Sequence, residues 1–281
     1  MKVKDHMHKF VRAAAVTAAA VMFAGCGSSD SSSENSEPIS DRTLAADFSD
    51  HLNNGDYDIS MTITGDTAIS GTKCRMIRHG SDGLVSMDNN DVYTEFYTVD
   101  GQSYMVMPVI QCYRTSDETG SFGNAFIRIG KGDDLFDVQD NDDSVIEVYT
   151  STSGGVREKF TFTFEKPALK LTKVVSESEK NVITTDISDV SYESEPIELP
   201  DFTEWDNISD DVSISDVTQI KFSLYTRGID PDMVAAAGYT YKELAKMPSE
   251  QTDSIAEEIL SGTASAETKT ESSADSESKK E

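Results

Sequence analysis

The sequence predicts an α+β fold in which a curved antiparallel sheet, an incomplete barrel, packs against one helix and is followed by a short helical segment. Three observations favour this fold. Apolar residues recur at helical spacing near residue 44 and again after residue 229. Between these segments, runs with a period of two alternate with turn signals, as in an antiparallel meander. One side of the alternating runs is rich in Met, Phe, Tyr and Ile, which indicates a single buried face.

The first predicted helix opens the folded region. Ser40 or Asp41 can serve as its N-cap, because both side chains can accept a hydrogen bond from the first helical turn. Leu44, Phe48 and Leu52 then recur at helical spacing, and the Asn-Asn-Gly sequence that follows ends the helix.

The strands of the meander are recognised by alternation. In YDISMTIT, residues 57–64, apolar and polar side chains alternate, and in KFTFTFE, residues 159–165, Phe160, Phe162 and Phe164 share one face. Such alternation predicts strands with one buried side. Further strands are predicted at 68–78, 84–88, 91–99, 103–114, 145–151, 156–165, 168–176, 181–192 and 195–199.

The last part of the folded region is predicted to contain one more short strand, QIKFSLYT (219–226), and then short helices. Three helices are predicted from capping signals. These signals are Asp230 as N-cap with Pro231 at N1, Gly238 at C′, a capping box of Thr240 with Glu243, and a last helix from about Ser249 to Leu260 that ends at Gly262.

The first 25 residues have the features of a secretory signal peptide. A head with four basic residues and one acidic residue precedes the apolar run 13–23. This run is shorter than the ~20 apolar residues that a membrane-spanning helix needs. A basic head, a short apolar stretch and small residues at the exit together predict export and removal of residues 1–25.

The exit sequence, Phe23-Ala24-Gly25-Cys26, resembles the bacterial lipobox, with Phe where Leu is usual. The resemblance implies cleavage before Cys26 and attachment of acylated glycerol to its sulfur, so that Cys26 is the lipid anchor and palmitate is incorporated there. Two acyl chains hold a protein stably at a membrane. The expected location is extracytoplasmic, anchored to the bacterial cell membrane. The alternative is an ordinary signal peptide with an incidental cysteine.

The mature chain is strongly acidic, which limits its partners. Removal of residues 1–25 changes 24 basic and 51 acidic residues to 20 and 50, a formal net charge of −30. Nucleic-acid binding depends on Lys and Arg that neutralise phosphates, so nucleic acid is not an expected partner. A basic patch for anionic lipid headgroups is equally unexpected. Such a charge keeps a chain soluble, and we expect a monomer.

Composition divides the mature chain into segments. Residues 26–39 are polar and acidic and are predicted to be a disordered tether, and residues 263–281 have the same character. The predicted antiparallel half-barrel domain covers 40–203, and the extra strand with the helical segment covers 204–262.

Residues suited to catalysis or metal binding are scarce. After residue 25 only His51 and His79 remain as histidines, and only Cys74 and Cys112 follow Cys26 as cysteines. These two cysteines could form one disulfide or fill a core as small apolar residues. The acidic sequence GKGDDLFDVQDNDDSVIE, 130–147, does not fit an EF-hand loop and is predicted to be a solvated loop. No enzyme, metal or cofactor is expected.

One family resemblance covers about residues 40 to 203. The order of helix, meander, KFTFTFEKPALKLTKVV and VITTDISDVSYESEPIELPDF is similar to that of lipoprotein carriers, which include periplasmic lipoprotein-sorting carriers and mycobacterial glycolipid-carrier lipoproteins. The resemblance implies an incompletely closed antiparallel barrel with a helix over its open face and acyl chains held between them. No motif position transfers an individual site residue.

The residues themselves allow two interpretations of the apolar face. A curved sheet lined with Met, Phe and Ile would enclose a groove for a lipid or another apolar ligand, and Met would make the groove adaptable. The same side chains could instead fill a dry core, in which case the protein is a tethered, non-enzymatic interaction module. The predicted lining residues are Met61, Ile63, Met105, Met107, Phe160, Phe162 and Phe164, with Met76 beside them.

Overall fold

A computed structural model describes residues 43–67, 69–89, 91–116, 127, 129, 133–153, 156–179, 181–210 and 212–263. The predicted signal peptide, Cys26, the predicted tether and most of the predicted disordered tail lie outside these residues. No helix within the described ranges is both long and apolar enough to cross a membrane.

The described chain contains one helix, a long series of strands, and four further α-helices. The helices are Leu44–Asn54 (α1), Asp216–Tyr225 (α2), Pro231–Ala236 (α3), Tyr241–Leu244 (α4) and Ser249–Leu260 (α5), with a 3₁₀ turn at Pro108–Ile110. The strands are Tyr57–Gly65 (β1), Thr72–His79 (β2), Asp82–Asn89 (β3), Val92–Val99 (β4), Gln102–Met107 (β5), Cys112–Ser116 (β6), Asp134–Asp140 (β7), Ser144–Ser153 (β8), Val156–Glu165 (β9), Lys170–Glu177 (β10), Val182–Ser191 (β11) and Asp206–Asn207 (β12).

All the strands join one unclosed sheet, with the order β12-β6-β5-β4-β3-β2-β1-β11-β10-β9-β8-β7. The α+β class with a curved antiparallel sheet is therefore confirmed. β1 is central and pairs antiparallel with β2 and β11, whereas the short β12 pairs parallel with β6. Contacts divide the described residues into two compact units, one within the ranges 1–89, 96–103 and 116–199, the other within 90–95, 104–115 and 200–281.

The first unit has one hydrophobic core between α1 and one face of the sheet, called the inner face below. Buried side chains reach this core from α1 and from seven strands that are neighbours in the sheet. In order across the sheet, these strands are β3, β2, β1, β11, β10, β9 and β8. Seven strands laid flat would be roughly 30 Å wide, whereas a helix with its side chains is about 10–12 Å across. The sheet must therefore curve to bring all of these strands into one core. The register of β1 against β11 shifts between Ser60 and Met61, opposite an extra residue of β11, Ser188, and a bulge of this kind increases the local twist.

The second unit has its own core, formed by the C-terminal helices. Leu224, Ile229, Val234 and Leu244 are among its buried residues. The predicted caps are present: Asp230 accepts a hydrogen bond from the backbone nitrogen of Met233, and the capping box of α4 is complete. Gly238 and Gly262 have positive φ angles, as expected after a helix end.

Five predictions about the helices and strands were wrong or incomplete. QIKFSLYT lies in helix α2 and not in a strand, and residues 195–199 are not a strand. The segment predicted as one strand at 103–114 is broken by the 3₁₀ turn that begins at Pro108. The acidic segment 134–140, predicted to be a loop, is the edge strand β7, although it is solvent-exposed as expected. The N-cap of α1 is Thr43, and not Ser40 or Asp41.

Candidate functional site: the sheet-helix core

Helix α1 covers the inner face with its apolar side. Ala45, Phe48 and Leu52 are buried at helical spacing, and the opposite side of the helix is polar. Thr43 caps the helix, since its hydroxyl accepts a hydrogen bond from the backbone nitrogen of Ala46 at 3.3 Å. The helix ends at Gly55, so the predicted stop is confirmed.

A buried carboxylate holds the N-terminus of α1. Glu147 on β8 is 3% exposed, and its two oxygens accept hydrogen bonds from the backbone nitrogens of Leu44 at 2.8 Å and Ala45 at 2.9 Å. The hydroxyl of Tyr149 bonds to the same carboxylate at 3.3 Å and to the hydroxyl of Thr43. Burial, followed by the neighbouring Glu147, raises the pKa of Tyr149 to about 12, although the Thr43 hydrogen bond lowers it.

A guanidinium holds the other end of α1. Arg78 on β2 donates from Nη1 to the carbonyl oxygens of Leu52 at 3.2 Å and Asn53 at 2.5 Å. The helix therefore has a carboxylate at its N-terminus and a cation at its C-terminus, which is the favourable arrangement for its dipole. Hydrogen bonds with Glu147 and Arg78 hold the two ends of the helix on the sheet, and its apolar side chains pack in the core.

The inner face beneath α1 includes a row of sulfur-containing side chains on three adjacent strands. Met61 of β1 pairs with Cys74 of β2, which pairs with Met87 of β3, and Met76 follows two residues after Cys74 on the same face. All four are buried in the core. We call these four residues the methionine patch. Met side chains are unbranched and fill irregular volumes, so this part of the core can change shape more easily than a core of branched residues.

The aromatic strand β9 lines another part of the same core. Phe162 and Phe164 are buried and Phe160 is half-buried, and all three contact the core, so their predicted common face is confirmed. The ring of Phe162 lies edge-on to Tyr149, with 5.7 Å between ring centroids.

Five of the seven predicted lining residues lie together in this core, namely Met61, Ile63, Phe160, Phe162 and Phe164. Met105 is half-buried and Met107 is buried, but both lie on β5 within the second unit and outside this core cluster. Sequence reasoning missed Glu147 and Arg78. Glu147 is the more detectable of the two, because it stands between Val145 and Tyr149 on a face that is otherwise apolar.

Two buried hydroxyls flank Ile63 on the inner face. Thr72 of β2 and Thr185 of β11 both pair with Ile63 and are at most 1% exposed. The Oγ1 atom of Thr72 has no hydrogen-bond partner. Glu147 is the one charged side chain among the buried residues that the structure describes.

The residues suited to catalysis occupy structural positions. His51 bonds to the backbone oxygen of Asp56 at 2.9 Å, and His79 bonds to Ser194. Cys74 and Cys112 are both buried free thiols. Burial raises the pKa of Cys74 to about 12 and that of Cys112 to about 11. Within the described ranges, no group of three His, Cys, Asp or Glu side chains could hold a metal ion.

The edge strand β7 presents apolar side chains to solvent. Leu135 is 46%, Phe136 68% and Val138 48% exposed, and acidic residues stand between and beside them. β7 is the last strand of the sheet, so among the described residues its outer edge pairs with no strand. An exposed apolar edge of this kind is a potential surface for strand addition.

No protein-family model matches the chain, and no curated protein matches it. Solved structures do. LprF of Mycobacterium bovis is 14% identical with a TM-score of 0.35, over 54% of this chain and 92% of that one. The lipoprotein LppX of Mycobacterium tuberculosis is 12% identical with a TM-score of 0.33, over 57% of this chain and 100% of that one.

A lipoprotein-sorting protein domain of Vibrio parahaemolyticus, described as putative and as belonging to the outer membrane, is 11% identical with a TM-score of 0.24, over 53% of this chain and 90% of that one. The predicted resemblance to lipoproteins of this kind is therefore confirmed. Likeness at these TM-scores bears on neither the ligand nor the function of this chain.

Proposed function

We propose that this protein is an extracytoplasmic, lipid-anchored binding protein that holds an apolar ligand, a lipid or an acyl chain, between α1 and the inner face of the sheet. Cys26 carries the anchor, and the protein acts as a non-enzymatic monomer. Sixteen residues separate Cys26 from Thr43. Fully extended, this tether reaches about 60 Å, so the folded part can move well away from the membrane surface.

The observation that carries the proposal is the methionine patch beneath α1. The ligand would replace contacts that α1 now makes with the inner face. Met61, Met76 and Met87 can change rotamer to accommodate it at little energetic cost, since Met tolerates changes of shape. Glu147 and Arg78 hold the two ends of α1 on the sheet, and in the middle of the helix Ser49 accepts a hydrogen bond from the backbone nitrogen of Ile129 at 3.0 Å. Ala45, Phe48 and Leu52 make apolar contacts with the core, which a hydrocarbon chain can imitate.

The test is native mass spectrometry of protein purified from its own cells, combined with titration of the delipidated protein with an uncharged fluorescent apolar dye. A co-purifying lipid and saturable uptake support the proposal. Protein that carries no lipid and takes up no probe would contradict it and leave the packed core as the correct interpretation.

A second candidate function is favoured by β7. Its exposed apolar residues, together with Asp134, Asp137 and Asp140, fit an extended cationic peptide added to the edge of the sheet. In this interpretation the core is fully packed and the protein is an interaction module. The edge carries acidic side chains, so a second copy of the same strand would be repelled.

The second candidate is tested with a synthetic peptide in which Lys and Val alternate, and with a control peptide in which Glu replaces Lys. Phe136→Ser should weaken binding of the Lys peptide. Leu260→Ser, which changes another exposed apolar residue, serves as the control variant. Equal binding of both peptides, or no effect of Phe136→Ser, would exclude this surface.

A further inference from the structure

Thr72 is a polar residue in an apolar position. It begins β2, pairs with Ile63 of β1 and is 0% exposed. Cys74 and Met76 follow it on the same face of the strand, so Thr72 lies at the end of the methionine patch. Its backbone nitrogen donates to the carbonyl oxygen of Ile69 at 3.1 Å, but its Oγ1 atom has no partner.

An unpaired buried hydroxyl destabilises the folded state, because it loses its hydrogen bonds to water and gains none in return. Val has nearly the same shape and would avoid this penalty. A Thr at this position is therefore unfavourable for a protein whose core only has to be packed. It is favourable if the hydroxyl bonds to a molecule that enters the core.

The charges around the core determine which polar group can be accepted. Among the described residues no Lys or Arg is buried, and the buried charge that is present, Glu147, is negative. A carboxylate or phosphate in the core would lose its hydration without gaining a counter-charge. A neutral group, such as an ester carbonyl or an alcohol, can bond to one hydroxyl without this penalty.

We infer that Thr72 is a specificity-determining residue that hydrogen-bonds the neutral ester or alcohol group of an acyl ligand whose hydrocarbon chain lies on the methionine patch. The inference rests on the proposed function and extends it, since it names both the class of ligand and the residue that selects it. Free fatty acids in their ionised form are the disfavoured ligands.

The experiment compares the parent protein with Thr72→Val and Thr252→Val. Thr252→Val is the control. Thr252 is also buried, but its hydroxyl already donates to the carbonyl oxygens of Leu244 and Pro248. Dodecanol, methyl dodecanoate and dodecanoate are titrated in competition with the fluorescent apolar dye N-phenyl-1-naphthylamine, and thermal unfolding is recorded without ligand.

The parent protein should bind dodecanol and methyl dodecanoate more tightly than dodecanoate at neutral pH. Thr72→Val should weaken binding of the two neutral ligands about fivefold to tenfold, which is the loss expected for one hydrogen bond. Binding of the dye should not change. Without ligand, Thr72→Val should raise the unfolding temperature by about 2–6 °C, because it removes an unpaired polar group. Thr252→Val should lower this temperature and leave the affinities unchanged.

Four results would overturn the inference. Thr72→Val that binds dodecanol as tightly as the parent would show that the hydroxyl does not contact the ligand. A parent that prefers dodecanoate would show that the site accepts an anion, although the proposed binding function would stand. A lower unfolding temperature for Thr72→Val would show that the hydroxyl is already hydrogen-bonded. A parent that binds none of the ligands and no dye would refute the proposed function as well.

Discussion

The Oε1 atom of Glu147 lies 2.8 Å from the backbone nitrogen of Leu44, and this contact joins positions 103 residues apart in the chain. The first N–H groups of a helix have no partner within the helix, and a negative charge near them also interacts favourably with the helix dipole. The carboxylate of Glu147 on β8 therefore holds the first turn of α1, which Thr43 caps, on the sheet.

Glu147→Gln should destabilise the first unit by about 1.5–3 kcal/mol, because the amide NH₂ cannot accept a hydrogen bond and one backbone N–H is left without its charged acceptor. Urea unfolding at neutral pH measures this loss. Glu165→Gln, an exposed carboxylate on the neighbouring strand β9, is the control and should change stability by less than about 0.5 kcal/mol. Equal effects of the two variants would show that Glu147 does not hold the helix.

Arg78→Met should release the other end of α1. It removes the donor to the carbonyl oxygens of Leu52 and Asn53, at a cost of about 1–2 kcal/mol. Arg75→Met, on the same strand, breaks an exposed ion pair with Asp58 and should cost about 0–1 kcal/mol. If α1 admits the ligand, Arg78→Met should also accelerate uptake of N-phenyl-1-naphthylamine in stopped-flow measurements, and Arg75→Met should not. Unchanged uptake rates would indicate that ligand entry does not involve this end of the helix.

Much of the sheet could be predicted because its strands alternate clearly. β1 and β9 have one apolar and one polar face, and such a period leaves little ambiguity. The segment QIKFSLYT also alternates, yet it forms α2. Thr218, Phe222 and Tyr225 are buried at helical spacing, and Ser215 caps the helix by accepting a hydrogen bond from the nitrogen of Thr218 at 3.1 Å. The cap was the signal that distinguished the two structures.

The other errors have local physical causes. Pro108 and Pro196 lack the N–H that a strand interior requires, which explains the break between β5 and β6 and the absence of a strand at 195–199. The acidic residues of β7 are rare in strands, and this strand is fully exposed, so no buried face revealed it. The positions of Glu147 and Thr72 relative to α1 and Ile63 depend on strand register, which a single sequence does not specify.

The buried thiol of Cys74 should make stability depend on alkaline pH. Its pKa is raised by burial from 9.0 to about 12, so the folded protein retains the proton after the unfolded chain has lost it. Stability from this group is therefore constant below pH 9 and declines between pH 9 and about pH 12. Urea midpoints measured across this range should fall less steeply for Cys74→Ala than for the parent.

The difference between Cys74→Ala and the parent isolates the thiol, because Tyr149 also has a raised pKa and titrates in both proteins. The same burial should prevent Cys74 from reacting with a thiol reagent in the folded protein, with full reaction after addition of urea. Parallel pH profiles or rapid labelling of the folded protein would contradict the assigned burial.

Cys26→Ser should abolish incorporation of labelled palmitate and produce protein that is unprocessed or released from the membrane. Serine has no thiol, so it cannot form the thioether bond through which the predicted lipid anchor is attached. Cys74→Ala keeps Cys26 and should be labelled like the parent. Palmitate incorporation that persists in Cys26→Ser would place the acylated residue elsewhere.

The two interpretations of the core differ in whether a ligand can restore the stability that is lost when a buried side chain is truncated. Phe162 is 0% and Met61 3% exposed, so truncation of either should leave a cavity. Phe162→Ala should cost about 3–5 kcal/mol and Met61→Ala about 2–5 kcal/mol in urea unfolding.

In a binding protein the new cavity beneath α1 lies where the hydrocarbon chain is held. Saturating ligand should therefore restore part of the lost stability to both variants, by an amount set by mass action. In a packed interaction module, ligand should restore none. Large losses in both variants, with no uptake of N-phenyl-1-naphthylamine or of a neutral acyl ligand by the parent, would refute the binding function and leave the exposed edge of β7 as the functional surface.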